Sequence, residues 1–386
     1  MYKLEVKLKQ HTPLIHFQHD QEGATLRASE VKPKLDRYLQ RKGIAVPKYK
    51  MKIYSESLSQ TPTQERGGNG RMRNVAPSFF GENKSLVIAD STIMTIVVQE
   101  GDWTIFYNYL SDFFLDNNFG TRQSKGYGSF TVSSIDSVVP TNVAPTQYVS
   151  FFNVRGTYVE ALKKIELLYK TLRSGINGPQ ENSLYFKSLM FSFAATWNCH
   201  WDKRNIKQHF LPNRLNEQIE QFPNLEPLSF VPKTKDELVF DTYTEEDGEF
   251  DFRDLLGFST NEKWSYYNMQ ISKKFEGGER YKSPILFKPI CEGNQWKIYV
   301  LAQEVVQSLL NSKVSVKQGN QSMTMKLFPD FSIFEFLRFA FTEEEILPHF
   351  GNITDINPGL QRKKEHQRDS ILAMYKDLRK NFREEL

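Results

Sequence analysis

Cysteine is almost missing from this chain of 386 residues. There are two, Cys199 and Cys291, far apart in sequence. That excludes a disulfide framework and a cysteine-ligated zinc site, and it suits a reducing cytosol. No apolar run reaches the ~18 residues that a membrane span needs. The start, MYKLEVKLKQ, has no uninterrupted apolar region and does not read as a signal peptide. No Gly-Lys-Ser/Thr occurs, so there is no Walker-type phosphate loop. Near the early histidines only Asp20 stands at ligand spacing, which argues against a metal site. No cofactor is expected. A strong charge of one sign is also absent: 50 Lys and Arg face 46 Asp and Glu, a net of +4. Most of the basic excess lies in Met1–Ala89, and acidic residues gather in Asp236–Asp254. The N-terminal part is therefore the better candidate for contact with a polyanion.

Large rings are plentiful, with 30 Phe and 17 Tyr to fill a core. Tyr2, Leu4, Val6 and Leu8 alternate with Lys3, Glu5, Lys7 and Lys9, which predicts a half-buried strand. Ser29 reads as an N-cap, with Pro33 in the first turn of a helix to about Arg41. Its apolar face is Val31, Leu35, Tyr38 and Leu39. Lys50–Ser55 is compatible with a second strand. Ser57–Asn74, with Gly67, Gly68, Gly70 and three arginines, reads as a polar loop unable to order itself. Ser85–Ala89 and Thr92–Gln99 read as two strands, with Asp90–Ser91 between them. An apolar helix follows Asp102 to about Asp116, and Tyr127–Ser133 is the last strand. Strand, helix, strand, strand, helix, strand is the split βαβ, ferredoxin-like order.

A boundary is placed at Ser137–Gln147. It separates a first domain, 1–140, from a second, 148–386. The second is α+β: helices at Tyr158–Leu172 and Leu184–Trp197, a basic turn from Trp201 to Lys207, an irregular acidic insertion at Pro223–Asp254, strands at Tyr281–Pro289 and Trp296–Leu301, and helices near Gln303–Leu310 and Ile333–Phe341. The tail Arg362–Glu385 is a charged helix with a narrow stripe of Ile371, Met374, Leu378 and Phe382.

Between the second helix and the last strand of the first domain lies NNFGTRQSKGYGSF, Asn117–Phe130. Glycine admits positive φ and close approach of another backbone. Successive amides in such a turn can cradle an anion, and Arg122 and Lys125 add two cations. Phosphate is the fitting partner, with a plain flexible turn as the alternative.

At this loop the chain resembles the RAMP superfamily of CRISPR-associated proteins, whose loop reads roughly Gly-x-Arg-x-x-x-Gly-x-Gly-Ser. Gly120, Arg122, Gly126, Gly128 and Ser129 match it. His11–Phe17 is similar to the Thr-Pro-Leu stretch that follows the first strand in RAMP subunits. Leu26–Leu39 and Arg280–Pro289 resemble stretches of the first subunit of the type III-B Cmr complex. Lys32-Pro33 stands where that subunit has Lys-Gly, and Ser124-Lys125 where it has an Arg-Arg pair.

The resemblance implies an RRM-like RAMP domain followed by a diverged RAMP-like one. It implies a cytoplasmic, non-catalytic subunit binding crRNA, and target RNA with it, among other effector subunits and with no membrane contact. The RNA-binding candidates are Lys32, Lys34, Arg37, Arg41, Arg71, Arg73, Gly120, Arg122, Lys125, Gly126 and Gly128, with backbone and cations gripping phosphate while pairing supplies specificity. The enzyme alternative is a metal-independent RAMP endoribonuclease using His11, His16 or His19 as general acid/base.

Overall fold

The alternation at the N-terminus becomes strand β1 (Tyr2–Gln10) in a computed structural model of the chain. Helix α1 (Ala28–Arg41), the long strands β2 (Lys48–Pro62) and β3 (Ser85–Glu100), helix α2 (Ile105–Leu115) and strand β4 (Phe130–Ile135) follow. The structure describes all residues but 19–20, 22, 69, 79–81, 177–183, 198, 200, 211–249, 265–268, 277, 279, 304, 306, 343–345, 352–356 and 385–386.

The four strands form one sheet in the order β2-β3-β1-β4, and every neighbouring pair is antiparallel. Period two decides its faces. Leu4, Val6, Leu8, Met94, Ile96, Val98, Phe130 and Val132 point to the side of α1 and α2. There they pack with Val31, Leu35, Leu39, Phe106, Leu110 and Phe113. The expected break at Asp90–Ser91 does not occur. Glu56 pairs with Ser91 and Leu58 with Ala89, so β3 continues unbroken.

Ser57–Asn74 departs further from the sequence reading. β2 and β3 stay paired out to Pro62 and Ser85, and beyond them Gln64–Arg66 pairs with Met72–Asn74. The result is a hairpin arm. Its order comes from a backbone ladder, extended by Thr63 N–H to Lys84 O (2.8 Å) and Gly67 N–H to Arg71 O (2.9 Å), and it needs little buried apolar surface.

The chain divides into two units, and one cut does not separate them. The first takes Met1–Glu166, Leu286–Leu301 and Arg383–Leu386; the second takes Leu167–Ile285 and Ala302–Phe382. The first unit therefore also holds a three-stranded sheet. It is built of β5 (Tyr148–Arg155), β6 (Ile285–Glu292) and β7 (Gln295–Ala302), ordered β6-β7-β5.

In the second unit Asp202–Phe210 is helical, where the sequence suggests a basic turn. Three strands unforeseen from sequence, Gln270–Phe275, Lys313–Gln318 and Gln321–Leu327, form the middle of a five-stranded sheet. The acidic insertion lies mostly outside the described residues, which resume at the strand Phe250–Asp251. The charged tail is the helix Pro358–Lys380. Of its stripe Ile371, Met374 and Leu378 are buried and Phe382, beyond the helix end, is half-buried; beside them Tyr375 OH meets Thr171 Oγ1 at 2.8 Å.

Candidate nucleic-acid interface

The glycine loop is a clasp. Thr121 N–H donates to Ile15 O (2.8 Å), Gly128 N–H to Pro13 O (2.9 Å) and Phe119 N–H to Gly128 O (2.9 Å). Ser129 N–H donates to Thr12 Oγ1 (3.0 Å), and that hydroxyl donates to Gly126 O (2.7 Å). Gly120 N–H donates to Glu30 Oε1 at 2.7 Å. These amides are spent on the segment leaving β1, on α1 and on the loop itself, so they are not free to form the expected anion cradle.

All three loop glycines are required by geometry, and at Gly120 (φ 75°) a Cβ would lie 2.6 Å from Ile15 O. At Gly128 (φ 67°) a Cβ would lie 2.0 Å from Phe119 O, and at Gly126 (φ 83°) 2.6 Å from Ile165 Cδ1. Arg122 is itself left-handed, with φ 58°. The turn Arg122–Lys125 is half-buried, while Gly120 and Gly126–Phe130 are buried. Burial lowers the Arg122 pKa, and the nearby Tyr127 and Glu166 work against that.

Lys34 is brought to the loop. Its ammonium donates to Asn118 O (2.6 Å) and Gln123 Oε1 (2.7 Å), so α1 and the loop form one joint. Lys32 pairs with Asp36 at 3.0 Å and lies 3.9 Å from the centre of the Tyr49 ring. Arg37 and Arg41 are exposed on α1. Arg71 and Arg73 are exposed near the tip of the arm, Arg73 lying 3.8 Å from Glu65.

Sequence reading missed Lys288 of β6. Wholly buried, it donates to Phe114 O (2.7 Å), Asn117 O (2.8 Å) and Phe130 O (2.8 Å). It closes the C-terminal end of α2 and the root of the loop, where a cation also suits the helix dipole. Burial, then the charge of Lys34, holds its pKa well below the ordinary lysine value. The available signal was a lysine inside the apolar run Ile285–Ile290, since a buried ammonium needs a full set of acceptors. Nearby, Ser129 Oγ donates to Pro289 O (2.7 Å) and Asn118 Nδ2 to Phe287 O (2.8 Å).

His11 is structural in its bonding. Nδ1 accepts Cys291 N–H at 3.0 Å, so Nε2 carries the proton toward Thr131 Oγ1 at 2.8 Å. Burial, with Lys288 and Lys9 nearby, pushes its pKa down to about 3. His16 Nδ1 accepts Gln18 N–H at 3.0 Å, and burial lowers its pKa too. His19 lies outside the described residues.

The second unit contains a buried ion network. Lys273 reaches Asp254 (2.7 Å) and Asp251 (3.2 Å), Arg253 reaches Asp202 (3.0 Å) and Glu262 (2.7 Å), and Arg173 reaches Asp254 (2.8 Å). Four carboxylates meet three cations, and burial with the charge of Asp254 drives the Asp251 pKa well up. Carboxylates and cations that are nearly balanced and hydrogen-bonded to one another suit a structural core. Among the described residues no group of His, Cys, Asp and Glu could hold a metal ion. No helix among them is long and apolar enough to cross a membrane.

Comparison with known proteins agrees with the loop and its setting in placing the chain among RAMP proteins. The family model of the Cmr1 N-terminal domain matches residues 1–69 and 44–176, and that of the Cmr1 C-terminal domain matches residues 185–357. The chain belongs to the Cmr1 family. No curated protein matches it. A solved structure similar in part is the cryo-EM structure of the Type III-B Cmr-beta bound to cognate target RNA, at 14% identity and a TM-score of 0.27. The match covers 34% of this chain and 59% of that one.

Proposed function

We propose that this protein is a non-catalytic RNA-binding subunit of a type III-B CRISPR effector, holding crRNA or the guide–target duplex in the cytoplasm. The observation that carries this reading is the family match, which spans both units from residue 1 to residue 357 with one short gap. The strand order β2-β3-β1-β4, all antiparallel and crossed by α1 and α2, supports a ferredoxin-like RAMP domain as the first unit. The second unit is then a diverged RAMP-like partner. Arg37, Arg41, Arg71 and Arg73 are exposed, and Arg122 and Lys125 lie on a rigid turn. Such side chains grip phosphate and leave sequence reading to base pairing.

The neutral, doubly bonded His11 supports the non-catalytic reading over the endoribonuclease. Purification of the full chain from its host should bring partner subunits and a discrete small RNA. Recovery of neither would defeat the proposal. Incubation with labelled repeat RNA in EDTA should leave the RNA whole; site-specific cleavage abolished by His11→Ala, His16→Ala or His19→Ala would establish the enzyme instead.

A further inference from the structure

The face of the first sheet turned away from α1 and α2 has a pattern that none of the candidates above includes. The register aligns three rows across it: Lys50, Val97 and Lys3; Lys52, Thr95 and Glu5; Tyr54, Ile93 and Lys7. The β3 column, Val97, Thr95 and Ile93, is half-buried and forms a mostly apolar floor. Lysines stand in the columns on either side, roughly 10 Å apart across two strand spacings. Lys3, Lys7, Lys50 and Lys52 are exposed, and none forms an ion pair with a described residue. Tyr54, 57% exposed as a residue, closes one end of the trough. Glu5 is the one acid in these three rows.

An exposed aromatic at the end of one basic column, facing a second across an apolar floor, suits a flexible chain with flat bases and a charged backbone. We infer that this trough binds single-stranded RNA, with a base stacked on Tyr54 and phosphates on Lys3, Lys7, Lys50 and Lys52. The inference rests on the RNA-binding function proposed above and names a surface for it. Base–aromatic stacking tolerates any sequence, and lysine–phosphate contact ignores sequence altogether.

Binding of a fluorescein-labelled 20-nucleotide single-stranded RNA to the full chain, measured by anisotropy between 50 and 200 mM salt, tests it. Lys50→Glu with Lys52→Glu should weaken binding at least about tenfold and cut the logarithmic salt slope by about 1.4, or 0.7 for each lost phosphate contact. Tyr54→Ala should weaken it at least about fivefold with the slope kept. All three residues are exposed, and unchanged circular dichroism and melting temperature would confirm folding. A wild-type chain that binds no RNA, alone or with its native partners, defeats the function and the trough together. A wild-type chain that binds, with both variants indistinguishable from it, defeats the trough and leaves the function standing. Variants that keep RNA affinity yet no longer co-purify with partner subunits would make the face a protein-docking surface, which also overturns the inference.

Discussion

Glu30 holds the amide of Gly120 at 2.7 Å, so the first turn of α1 sets a carboxylate against the glycine loop. Its other oxygen is buried with no hydrogen-bond donor among the described residues, and burial raises its pKa. A bound anion at that amide would have to displace a side chain of the same sign. The loop's conformation therefore belongs to the protein, and in the proposed function its grip on RNA rests on side chains. Glu30→Gln keeps an acceptor for the amide and removes the charge. RNA affinity should rise about two- to fivefold at 50 mM salt and the gain should shrink at 500 mM, as screening requires. An affinity unchanged at both salts would separate the loop from the RNA path.

Arg122→Ala with Lys125→Ala should weaken RNA binding by similar factors for unrelated sequences. The logarithmic salt slope should fall by about 1.4 if each contacts one phosphate of a single strand. Titrations with two unrelated oligonucleotides check both points. An unchanged affinity and slope would reduce the loop to a turn.

Gly128→Ala and Gly43→Ala form a matched pair. Both glycines have φ near +70°, but a Cβ at Gly43 meets nothing within 4 Å, whereas one at Gly128 overlaps Phe119 O. Gly43→Ala should cost about 1 kcal/mol, the left-handed penalty alone. Gly128→Ala adds overpacking and should cost at least about 3 kcal/mol. Denaturant midpoints with equal slopes would measure the difference.

Much of the first unit was legible in sequence because its signals are local. β1 announces itself by alternation, and Val31, Leu35 and Leu39 mark the buried face of α1. The loop's glycines were legible as needing unusual backbone. What the sequence hid was each group whose partner is distant. Lys288 and Asn117 stand 171 positions apart, and no periodicity links them. Lys34, read as an RNA contact, is occupied by the loop itself. The arm was hidden for the opposite reason: a polar ribbon is ordered by main-chain pairing, which leaves no trace in side-chain pattern.

Lys288→Met preserves length and removes the donor. Three buried carbonyls would then lack a partner, at about 1–3 kcal/mol each before relaxation. A total loss near 3–5 kcal/mol is expected, visible as a lower urea midpoint. A variant as stable as the parent would mean that water replaces the ammonium.

His11 makes stability depend on pH. The unfolded imidazole takes a proton near 6.5, whereas the folded one resists down to about 3. Its contribution is therefore complete above pH 6.5 and erodes by about 1.4 kcal/mol for each unit below that, until the folded ring is itself protonated. Unfolding free energies between pH 7.5 and 4.5 should show this slope in the parent, and His11→Asn should flatten it. Parallel profiles would assign the acid sensitivity elsewhere.

The first unit is finished by a strand encoded far downstream. Cys291 N–H supplies the bond to His11, Pro289 O receives Ser129, and Lys288 closes the end of α2. On the ribosome this unit lacks that strand until roughly three-quarters of the polypeptide has emerged. A gene fragment ending near residue 140 would encode every strand of the four-stranded sheet and still lack the piece that locks it.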